Sequence, residues 1–303
     1  MTVPEELSRT LLAVHGPAAR DWLARLPALV AECAARWSLT LHPHFSPLTY
    51  NWVAPGRDAA GRPVVLKIGF PSRELWNAAD VLALAGGEGM VRLLDVDRER
   101  GALLLERVEP GTPLSDVQDD DDATDILAAV MERLWRPVPP AHDFATVAGW
   151  VAGLGGLRRR FDGGTGPLPE DLVSHAEALA ADLLATAAAP VVLHGDLHYG
   201  NVLAGRNGTW LAIDPKGVVG EPAFEPYALL HNPMPGLLGW DDPAGVLDCR
   251  LDRLSARLGI ERARLRAWGV VGAVLSAWWF VDDDLPGWSD AIGIARILAA
   301  LPD

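Results

Sequence analysis

The sequence predicts an α+β fold with two lobes, a small β-rich N-terminal lobe and a large, mostly helical C-terminal lobe. Short apolar runs separated by Gly and Pro, typical of strands, are concentrated before residue 108. Apolar residues at helical spacing dominate from about residue 113 onward. The charge divides at the same place, because residues 1–111 contain 12 basic and 13 acidic side chains while residues 112–303 contain 14 and 27. We therefore place the N-terminal lobe at 1–107, a hinge at 108–113 and the C-terminal lobe at 114–303.

The N-terminal lobe is expected to combine helices with an antiparallel sheet. Amphipathic spacing predicts a helix over 17–37 and a second over 73–85 that stops at Gly86-Gly87. Turn residues at 55–58 and 61–63 predict one hairpin, and those at 97–101 predict another. The predicted strands are 39–41, 50–54, 64–68, 91–96 and 102–107.

The C-terminal lobe is expected to be helical apart from one group of short strands. The predicted helices are 123–135, 144–161, 170–188, 244–258, 261–282 and 287–301. The predicted strands are 191–193, 202–204 and 210–213, with a turn at 205–208. Polar loops separate these strands, so the polar residues of the loops are the first place to look for chemistry.

The composition excludes several classes of protein. Half of the 303 residues are hydrophobic, which allows a sizeable core, and a net charge of −14 argues against nucleic-acid partners. The first ten residues do not resemble a signal peptide, and no apolar run is long enough to cross a membrane. Cys33 and Cys249 are too few for a disulfide framework, so we expect reduced core residues in a cytoplasmic protein. No obligate protein partner is evident.

Residues 194–201, HGDLHYGN, contain the most informative pattern in the chain. Asp196 and Asn201 form an Asp-x-x-x-x-Asn sequence, and Asp214 follows thirteen residues later at the end of an apolar strand. Phosphoryl transfer requires a carboxylate that accepts the proton of the attacking hydroxyl, and oxygen ligands that hold Mg²⁺ against the phosphates. A lone Asp-x-x-x-x-Asn is also compatible with a polar turn between core strands. The second Asp, the two-lobed layout and a lysine on an earlier strand together favour the phosphoryl-transfer interpretation.

Lysine usage supports that interpretation. Of the 26 basic residues only Lys67 and Lys216 are lysines. A chain that uses arginine almost everywhere keeps lysine where a compact ammonium is needed, although codon bias alone also produces such a pattern. Lys67 lies on a predicted strand of the N-terminal lobe, and Lys216 follows Asp214 by two residues. Both positions suit contacts with phosphate.

These motifs resemble those of the aminoglycoside phosphotransferase family, a branch of the protein-kinase-like fold. HGDLHYGN is similar to the signature of the whole family. The segments VVLKIGFP at 64–71, GMVRLLDVDRERGALLLERVEPGTPL at 89–114 and AIDPKGVVGEPAFEP at 212–226 resemble the streptomycin 6-kinase and hydroxyurea phosphotransferase subgroup. The resemblance spans roughly residues 37–285. It implies a bilobal kinase-like fold, ATP and Mg²⁺ as cofactors, and a small-molecule acceptor.

The resemblance also assigns roles to residues of the C-terminal lobe. Asp196 is the expected catalytic base, and Asn201 and Asp214 are the expected Mg²⁺ ligands. His194 is expected to hold the loop in shape, and His198 to support it structurally.

In the N-terminal lobe the resemblance places nucleotide contacts. Lys67 is expected to contact the α- and β-phosphates. The segment from Glu106 to Val108 is expected to bind adenine through its backbone. The loop over the phosphates, residues 45–51, contains no glycine. The side chains of Ser46, Thr49 or Asn51 are therefore expected to take part where a glycine-rich loop would use its backbone.

Two further departures from the family pattern concern charged residues. Ala78 stands where a glutamate is expected to pair with the strand lysine, so Glu74, one helical turn earlier, or Asp80 is the candidate partner. Glu221 and Glu225 stand where the family's Gly-Asp-Pro segment leads us to expect aspartate. For Lys216 two interpretations stay open, stabilisation of the γ-phosphoryl group or a salt bridge to one of these two glutamates.

A cationic acceptor requires carboxylates in the C-terminal lobe. Asp282, Asp283 and Asp284 cluster at the C-terminal end of a predicted helix, where negative charge disfavours folding, and Trp279 nearby can stack on a guanidinium or a sugar. We therefore expect Asp282, Asp283 and Trp279 to bind the acceptor. A solvated helix end with its tryptophans in the core is the alternative. The acidic run at 119–122 is explained by its position at a helix start, and the arginines at 158–160 by a solvated helix face.

The sequence thus favours a small-molecule kinase that transfers the γ-phosphoryl group of ATP to a hydroxyl of a cationic acceptor, by resemblance an aminoglycoside such as streptomycin, in antibiotic resistance. One alternative is a metabolic kinase with the same machinery and a neutral or amino-bearing acceptor. Another is a catalytically silent nucleotide-binding protein.

Overall fold

The computed structural model describes residues 3–234 and 236–302, which form two compact units, Met1–Gly111 and Thr112–Asp303. Within the described ranges, no helix has the length and apolar character needed to span a membrane. The predicted boundaries of the two lobes and the hinge role of 108–113 stay predictions.

The N-terminal unit packs a helical pair against an antiparallel sheet. Its helices are α1 (Glu5–His15), α2 (Pro17–Arg36) and α3 (Arg73–Ala85). Its strands are β1 (Thr40–Leu41), β2 (Asn51–Arg57), β3 (Pro63–Gly69), β4 (Leu93–Asp97) and β5 (Ala102–Glu106), in the spatial order β1-β2-β3-β5-β4. Leu11, Leu26 and Cys33 of the first two helices bury their side chains in one cluster with Leu66 and Ile68 of β3. Helix α1 was not predicted, because its buried face consists of two leucines one turn apart.

The β2–β3 hairpin differs from its predicted form. Strand β2 continues through Pro55 and Gly56, which the sequence analysis placed in the turn. The turn lies at Asp58–Arg62, where the Asp58 carboxylate accepts the backbone N–H groups of Ala60 and Arg62, each at 2.9 Å. Gly56 is required for another reason, because a Cβ there would lie 2.8 Å from the carbonyl oxygen of Thr40 on β1.

The C-terminal unit is built around one long buried helix. Its helices are α4 (Asp120–Leu134), α5 (Val147–Val151), α6 (Leu154–Arg160), α7 (Glu170–Ala185), α8 (Tyr227–Leu230), α9 (Pro243–Leu258), α10 (Arg262–Asp282) and α11 (Trp288–Ala300). Helix α10 packs against α7 and α11, and α4 packs against α9. The prediction of a single helix over 144–161 is wrong, because this segment is divided into α5 and α6 near Gly153.

Two small sheets complete the C-terminal unit. The first contains β6 (Arg136–Pro137), β7 (Ala145–Thr146), β8 (Val191–Leu193) and β11 (Val218–Gly220) in the order β6-β8-β11-β7. The second is the antiparallel hairpin of β9 (Val202–Ala204) and β10 (Trp210–Ala212). Strand β11 was not predicted, since its three residues follow directly after a polar loop. The loops between these strands carry the candidate active site.

Two expectations about individual side chains were wrong. Cys33 is buried as expected, but Cys249 is exposed and its thiol donates to Asp121 Oδ1 at 3.2 Å. The arginines at 158–160 are more than a solvated helix face. Arg158 binds Glu170 at 2.6 Å and Glu177 at 2.8 Å, and Arg160 binds the end of α10.

Candidate active site

The loop at 194–201 and the loop at 213–217 leave the same edge of a small sheet. Strand β8, which leads into the first loop, pairs with β11, which follows the second, with Leu193 opposite Val218. The carbonyl oxygen of His194 accepts the N–H of Lys216 at 2.8 Å, and that of Asn201 accepts the N–H of Ile213 at 2.9 Å. The short β9–β10 hairpin connects the loops and returns the chain to the first of them. Backbone hydrogen bonds therefore hold the two loops side by side.

The imidazole of His194 fixes the same two loops through its side chain. Nδ1 accepts the backbone N–H of Asp196 at 3.2 Å, and Nε2 donates to the carbonyl oxygen of Ile213 at 2.8 Å. The ring is 1% exposed, and its burial lowers the pKa of His194 to about 4. The imidazole is therefore neutral at physiological pH, as the acceptor role of Nδ1 requires. These hydrogen bonds are compatible with the loop-shaping role predicted for His194, which stays a prediction.

Glu225 binds the backbone at the start of the same loop. Its carboxylate accepts the backbone N–H of His194 at 2.7 Å and that of Gly195 at 2.8 Å. The side chain is completely buried, and this burial raises the pKa of Glu225 to about 7, against the opposing effect of the two N–H donors. Tyr227 adds a hydrogen bond from its hydroxyl to the carbonyl oxygen of Gly195 at 2.8 Å. From the sequence, Glu225 was a departure from aspartate and a candidate salt-bridge partner of Lys216, and its anchoring role was not predicted.

Gly195 is conformationally required in this loop. Its φ of +82° lies in the left-handed region, which side-chain-bearing residues avoid. A Cβ at this position would lie 2.9 Å from Val218 and 3.0 Å from the Trp150 ring. Gly195 therefore packs closely against Val218 and Trp150, and the adjacent Asp196 is half-buried.

Asn201 and Asp214 present oxygen atoms of the kind that bind a hard cation. The amide nitrogen of Asn201 donates to the carbonyl oxygen of Asp196 at 2.9 Å, which orients the amide and directs its oxygen away from that bond. Asp214 is exposed and has a φ of +58°, an uncommon backbone conformation for a residue other than glycine. A carboxylate and an amide oxygen leave most coordination positions to water and phosphate, as Mg²⁺ prefers. The donor set thus fits the predicted Mg²⁺ site.

His198 and the two glutamates complete the surroundings of the loops. His198 Nδ1 accepts the N–H of Gly200 at 3.1 Å, and Nε2 lies 3.9 Å from Asp196 Oδ1, which fits a supporting residue. The Glu221 carboxylate binds the Arg264 guanidinium, with the shortest contact at 2.7 Å. Since Glu225 binds the loop backbone, both glutamates have structural functions in the C-terminal unit. Lys216 lies on the second loop and is half-buried.

The N-terminal unit contains the residues expected to bind the nucleotide. Lys67 is 7% exposed at the centre of β3, opposite Val53 of β2 and Leu103 of β5. Glu74 is exposed in the first turn of α3. The other candidate partner of Lys67, Asp80, forms a salt bridge with Arg98.

The hinge and the glycine-free loop also belong to the N-terminal unit. The Glu106 amide donates to the carbonyl oxygen of Arg92 at 3.0 Å, so this N–H is occupied within the sheet. Among the described residues no backbone carbonyl accepts the N–H of Val108, so the predicted adenine contact through its backbone stays a prediction. Ser46 is exposed, and Asn51 begins β2 with its side-chain oxygen directly over Gly69.

The acidic cluster predicted to bind the acceptor has a structural partner. Arg160 Nη1 lies 3.3 Å from Asp282 Oδ1, and Nη2 donates to Asp284 Oδ1 at 2.8 Å. Nη1 also donates to the backbone carbonyls of Val281 and Asp282, each at 2.9 Å. The arginine therefore compensates both the carboxylates and the unsatisfied end of α10. The unfavourable charge that motivated this prediction is largely offset, while Asp283 lies half-buried at the helix end.

Trp279, the third predicted acceptor residue, contacts another tryptophan that packs against the loop at 194–201, which we call the catalytic loop. Its ring packs edge-on against the ring of Trp150 on α5, with the ring centroids 5.5 Å apart. Trp150 in turn contacts Phe224 and lies against Gly195. Both tryptophans are half-buried, whereas Trp278 is in the core. The sequence analysis missed Trp150, since nothing local distinguishes it from the other tryptophans of the chain.

A hydrogen-bonded loop with an oriented aspartate, followed by an asparagine and a second aspartate beside a short hairpin, is the arrangement of a phosphotransferase of the kinase type. The family described as aminoglycoside/hydroxyurea antibiotic resistance kinase matches residues 37–284. The chain belongs to this family, as the motifs indicated, and it is a small-molecule kinase.

Individual relatives agree with the family assignment. A streptomycin 6-kinase of Streptomyces griseus is 33% identical over 98% of this chain and 97% of its own length. A hydroxyurea phosphotransferase of Kitasatospora aureofaciens is 36% identical over 93% of this chain and 81% of its own length. A solved structure of choline kinase from Streptococcus pneumoniae superimposes with a TM-score of 0.67 at 14% identity, covering 91% of this chain and all of its own. The predicted protein-kinase-like fold is confirmed.

Proposed function

We propose that this protein transfers the γ-phosphoryl group of ATP to a hydroxyl of an aminoglycoside, with streptomycin as the first acceptor to test. The observation that carries the proposal is the fixed position of Asp196, whose backbone is held through His194 and whose loop is held by Glu225. A preorganised carboxylate beside oxygen donors for a cation is the requirement of in-line phosphoryl transfer. The similarity to a streptomycin 6-kinase along nearly the whole chain supports an aminoglycoside as the acceptor.

Asp196 acts as the base in this proposal. Its carboxylate accepts the proton of the attacking hydroxyl while the hydroxyl oxygen forms a bond to the γ-phosphorus and ADP leaves. The neutral His194 ring keeps the Asp196 backbone in place without competing for that proton, since its low pKa keeps it deprotonated. Lys216, on the adjacent loop, stabilises the charge of the transferring phosphoryl group in this proposal.

Asn201 and Asp214 hold Mg²⁺ in this proposal. When bound there, Mg²⁺ supplies positive charge that neutralises the phosphate oxygens during transfer. Lys67, buried on β3, contacts the α- and β-phosphates, with Glu74 as its supporting residue, and the Val108 amide receives the adenine.

The remaining nucleotide and acceptor contacts are also part of the proposal. Ser46 and Asn51 contact the phosphates from the loop that lacks glycine. Trp279 and Asp283 contribute to acceptor binding together with the exposed part of Asp282, which remains accessible beside Arg160. The use of ATP and the reduced cysteines support a cytoplasmic location.

A coupled kinase assay of the purified protein tests the proposal. The acceptor panel contains streptomycin, other aminoglycosides, hydroxyurea and small amino alcohols, so that the acceptors in the relatives' names and a metabolic acceptor are all represented. We expect ADP release that depends on streptomycin. Turnover with hydroxyurea alone, or with an amino alcohol alone, would assign the same machinery to another acceptor. If no acceptor of the panel leads to ADP release, the result would favour a catalytically silent nucleotide-binding protein.

Asp196→Ala tests the assignment of Asp196 as the catalytic base. It is expected to reduce kcat by at least about a thousandfold, because the substrate proton loses its acceptor, while Mg·ATP binding changes little. Asp182→Ala, which removes an exposed aspartate of α7, is the control and is expected to keep full activity. Unchanged kinetics in the Asp196 variant would contradict the assignment of the base.

A further inference from the structure

A cavity of about 430 Å³ opens in the C-terminal unit beside the catalytic loop. Its volume is in the range of roughly 300–1,000 Å³ that is usual for small-molecule sites. Three consecutive residues of the loop, 198–200, form one wall. The opposite walls come from the segment that precedes α4 and from the segment between α8 and α9. None of the residues predicted to bind the acceptor lines it.

The cavity lies next to the reacting centre without containing it. His198 is shared, since this residue lines the cavity and its Nε2 lies 3.9 Å from Asp196 Oδ1. A hydroxyl must come within roughly 2.6–3.2 Å of its base to transfer a proton. Asp196 does not line the cavity, so a group inside it lies beyond that reach. A molecule whose hydroxyl meets Asp196 can extend past His198 and place a neighbouring ring there.

The charge of the cavity is compensated. Its acidic lining residue, Asp120, receives Arg250 Nη2 at 2.6 Å and Nε at 2.9 Å. Arg250 is fully buried and also donates to the carbonyl oxygens of Leu229 and Asn232 at 3.0 and 2.7 Å. The carboxylate is thus committed to an internal ion pair and offers no net charge to a ligand. A ring that carries guanidinium or ammonium groups gains little electrostatic attraction here.

The rest of the lining suits a hydroxyl-bearing ring. Ser115 and Gln118 are exposed polar side chains, and the Asn232 amide nitrogen is bonded to the Ala228 carbonyl oxygen at 2.7 Å, which leaves its oxygen to accept. Trp240 adds an indole that is 38% exposed. Arg250 lies over this indole with its guanidinium carbon 5.5 Å from the ring centroid, so its buried face is already covered. The remaining indole surface is a platform for an apolar ring face.

We infer that this cavity binds an uncharged sugar ring of the acceptor, adjacent to the ring that is phosphorylated, with Trp240 as its platform. The inference rests on the proposed function and adds a subsite to it. It divides the acceptor into two parts. The ring that carries the reacting hydroxyl and the cationic groups lies at Asp196, and an uncharged ring lies beyond His198.

Calorimetric titration with two acceptors tests the subsite. One acceptor is streptomycin, and the other is streptidine, its isolated diguanidinium cyclitol, which keeps the 6-hydroxyl but has no sugar ring. Each is titrated into the full-length protein with Mg²⁺ and a non-hydrolysable ATP analogue. Trp240→Ala is expected to weaken streptomycin binding about tenfold and to leave streptidine binding unchanged. Ser115 is an exposed lining residue, and Ser115→Phe places a large ring in the cavity. This variant is also expected to weaken streptomycin binding and to leave streptidine binding unchanged, and it keeps the Arg250–Trp240 contact.

A matched control separates the subsite from general effects of losing an indole. Trp37→Ala removes a half-buried tryptophan of the N-terminal unit that also carries an arginine, Arg36, over its ring at 5.9 Å. It is expected to leave both affinities unchanged. Equal streptomycin affinity in the wild type and both cavity variants overturns the inference, and so does an equal loss for both acceptors, which would place the reacting ring in the cavity. No binding of either acceptor to the wild type refutes the proposed function, and the subsite with it.

Discussion

Replacing Glu225 with glutamine is expected to change the way stability depends on pH. Burial raises the pKa of Glu225 from 4.5 to about 7, so the folded protein binds this proton more tightly than the unfolded chain does. Such a group contributes stability that is fully present below the unfolded pKa and is lost as pH rises through the folded value. Between about pH 5 and about pH 8 the wild type loses roughly 2–3 kcal/mol of stability through this group, because its pKa is higher in the folded chain than in the unfolded chain. The nearby Asp196 carboxylate contributes to the same raised pKa.

Glutamine cannot titrate, and its amide nitrogen, a hydrogen-bond donor, replaces one of the two accepting carboxylate oxygens of Glu225. One of the two backbone N–H groups, that of His194 or that of Gly195, then faces an amide nitrogen, which costs about 1–3 kcal/mol at every pH. The same mismatch displaces the loop that carries Asp196, so kcat is expected to fall while the Kd for Mg·ATP changes little. The variant should therefore be less stable than the wild type at low pH and approach it at high pH.

Urea unfolding of the wild type and Glu225→Gln, at several pH values between about 5 and 8, measures the difference in unfolding free energy. Glu261→Gln, an exposed glutamate of the same unit, is the control and should follow the wild type throughout. The difference in unfolding free energy between the two proteins is expected to shrink by roughly 2–3 kcal/mol as pH rises over this range. A difference that stays constant with pH would refute the reasoning, because it would show that Glu225 has the same proton affinity in the folded and unfolded chain.

Three further predictions concern the two loops and the acidic cluster. Asp214→Ala is expected to weaken Mg·ATP binding at least about tenfold while calorimetry detects no change in streptomycin affinity; unaltered nucleotide affinity would count against its role as a metal ligand. Gly195→Ala, at a φ of +82° and with its Cβ 2.9 Å from Val218, should lower the unfolding free energy by about 1–3 kcal/mol and abolish turnover, and an active, equally stable variant would contradict the packing described. Replacing Asp282, Asp283 and Asp284 together by asparagine should raise the KM for streptomycin several-fold, whereas an unchanged KM would favour an acceptor that does not use the cluster.

The parts of the site that the sequence predicted share a property, namely that their chemistry is contiguous in the chain. Asp196 and Asn201 lie within one eight-residue loop, and Asp214 ends the strand that follows a short hairpin. Local patterns of this kind survive folding almost unchanged. The two-lobed α+β class was predictable for a related reason, since strand and helix periodicities occupy separate stretches of the chain.

The parts that were missed depend on contacts between distant segments. Glu225 binds the His194 amide across 31 residues of sequence, and no local pattern shows that a glutamate will accept two loop amides. Trp150 contacts the catalytic loop only because α5 ends close to it, and the sequence analysis predicted one continuous helix there. The Arg160 contacts span more than 120 residues. An acidic helix end therefore looked unpaired in the sequence although the fold supplies its partner.

Many acidic residues of the C-terminal unit contribute little to the attraction of a cationic acceptor. Several of the acidic groups that stood out in the sequence are bound to arginines of the same unit, namely Asp120 to Arg250, Asp121 to Arg253 and Glu221 to Arg264. Pairs of this kind have little net charge, so they attract a cation weakly whatever their number. Attraction of a cationic acceptor must then come from the summed field of the remaining surface carboxylates, which salt screens over about 10 Å at 0.1 M. Added salt is therefore expected to slow acceptor association while dissociation of the bound complex stays nearly constant, because an uncharged subsite keeps its contacts in salt.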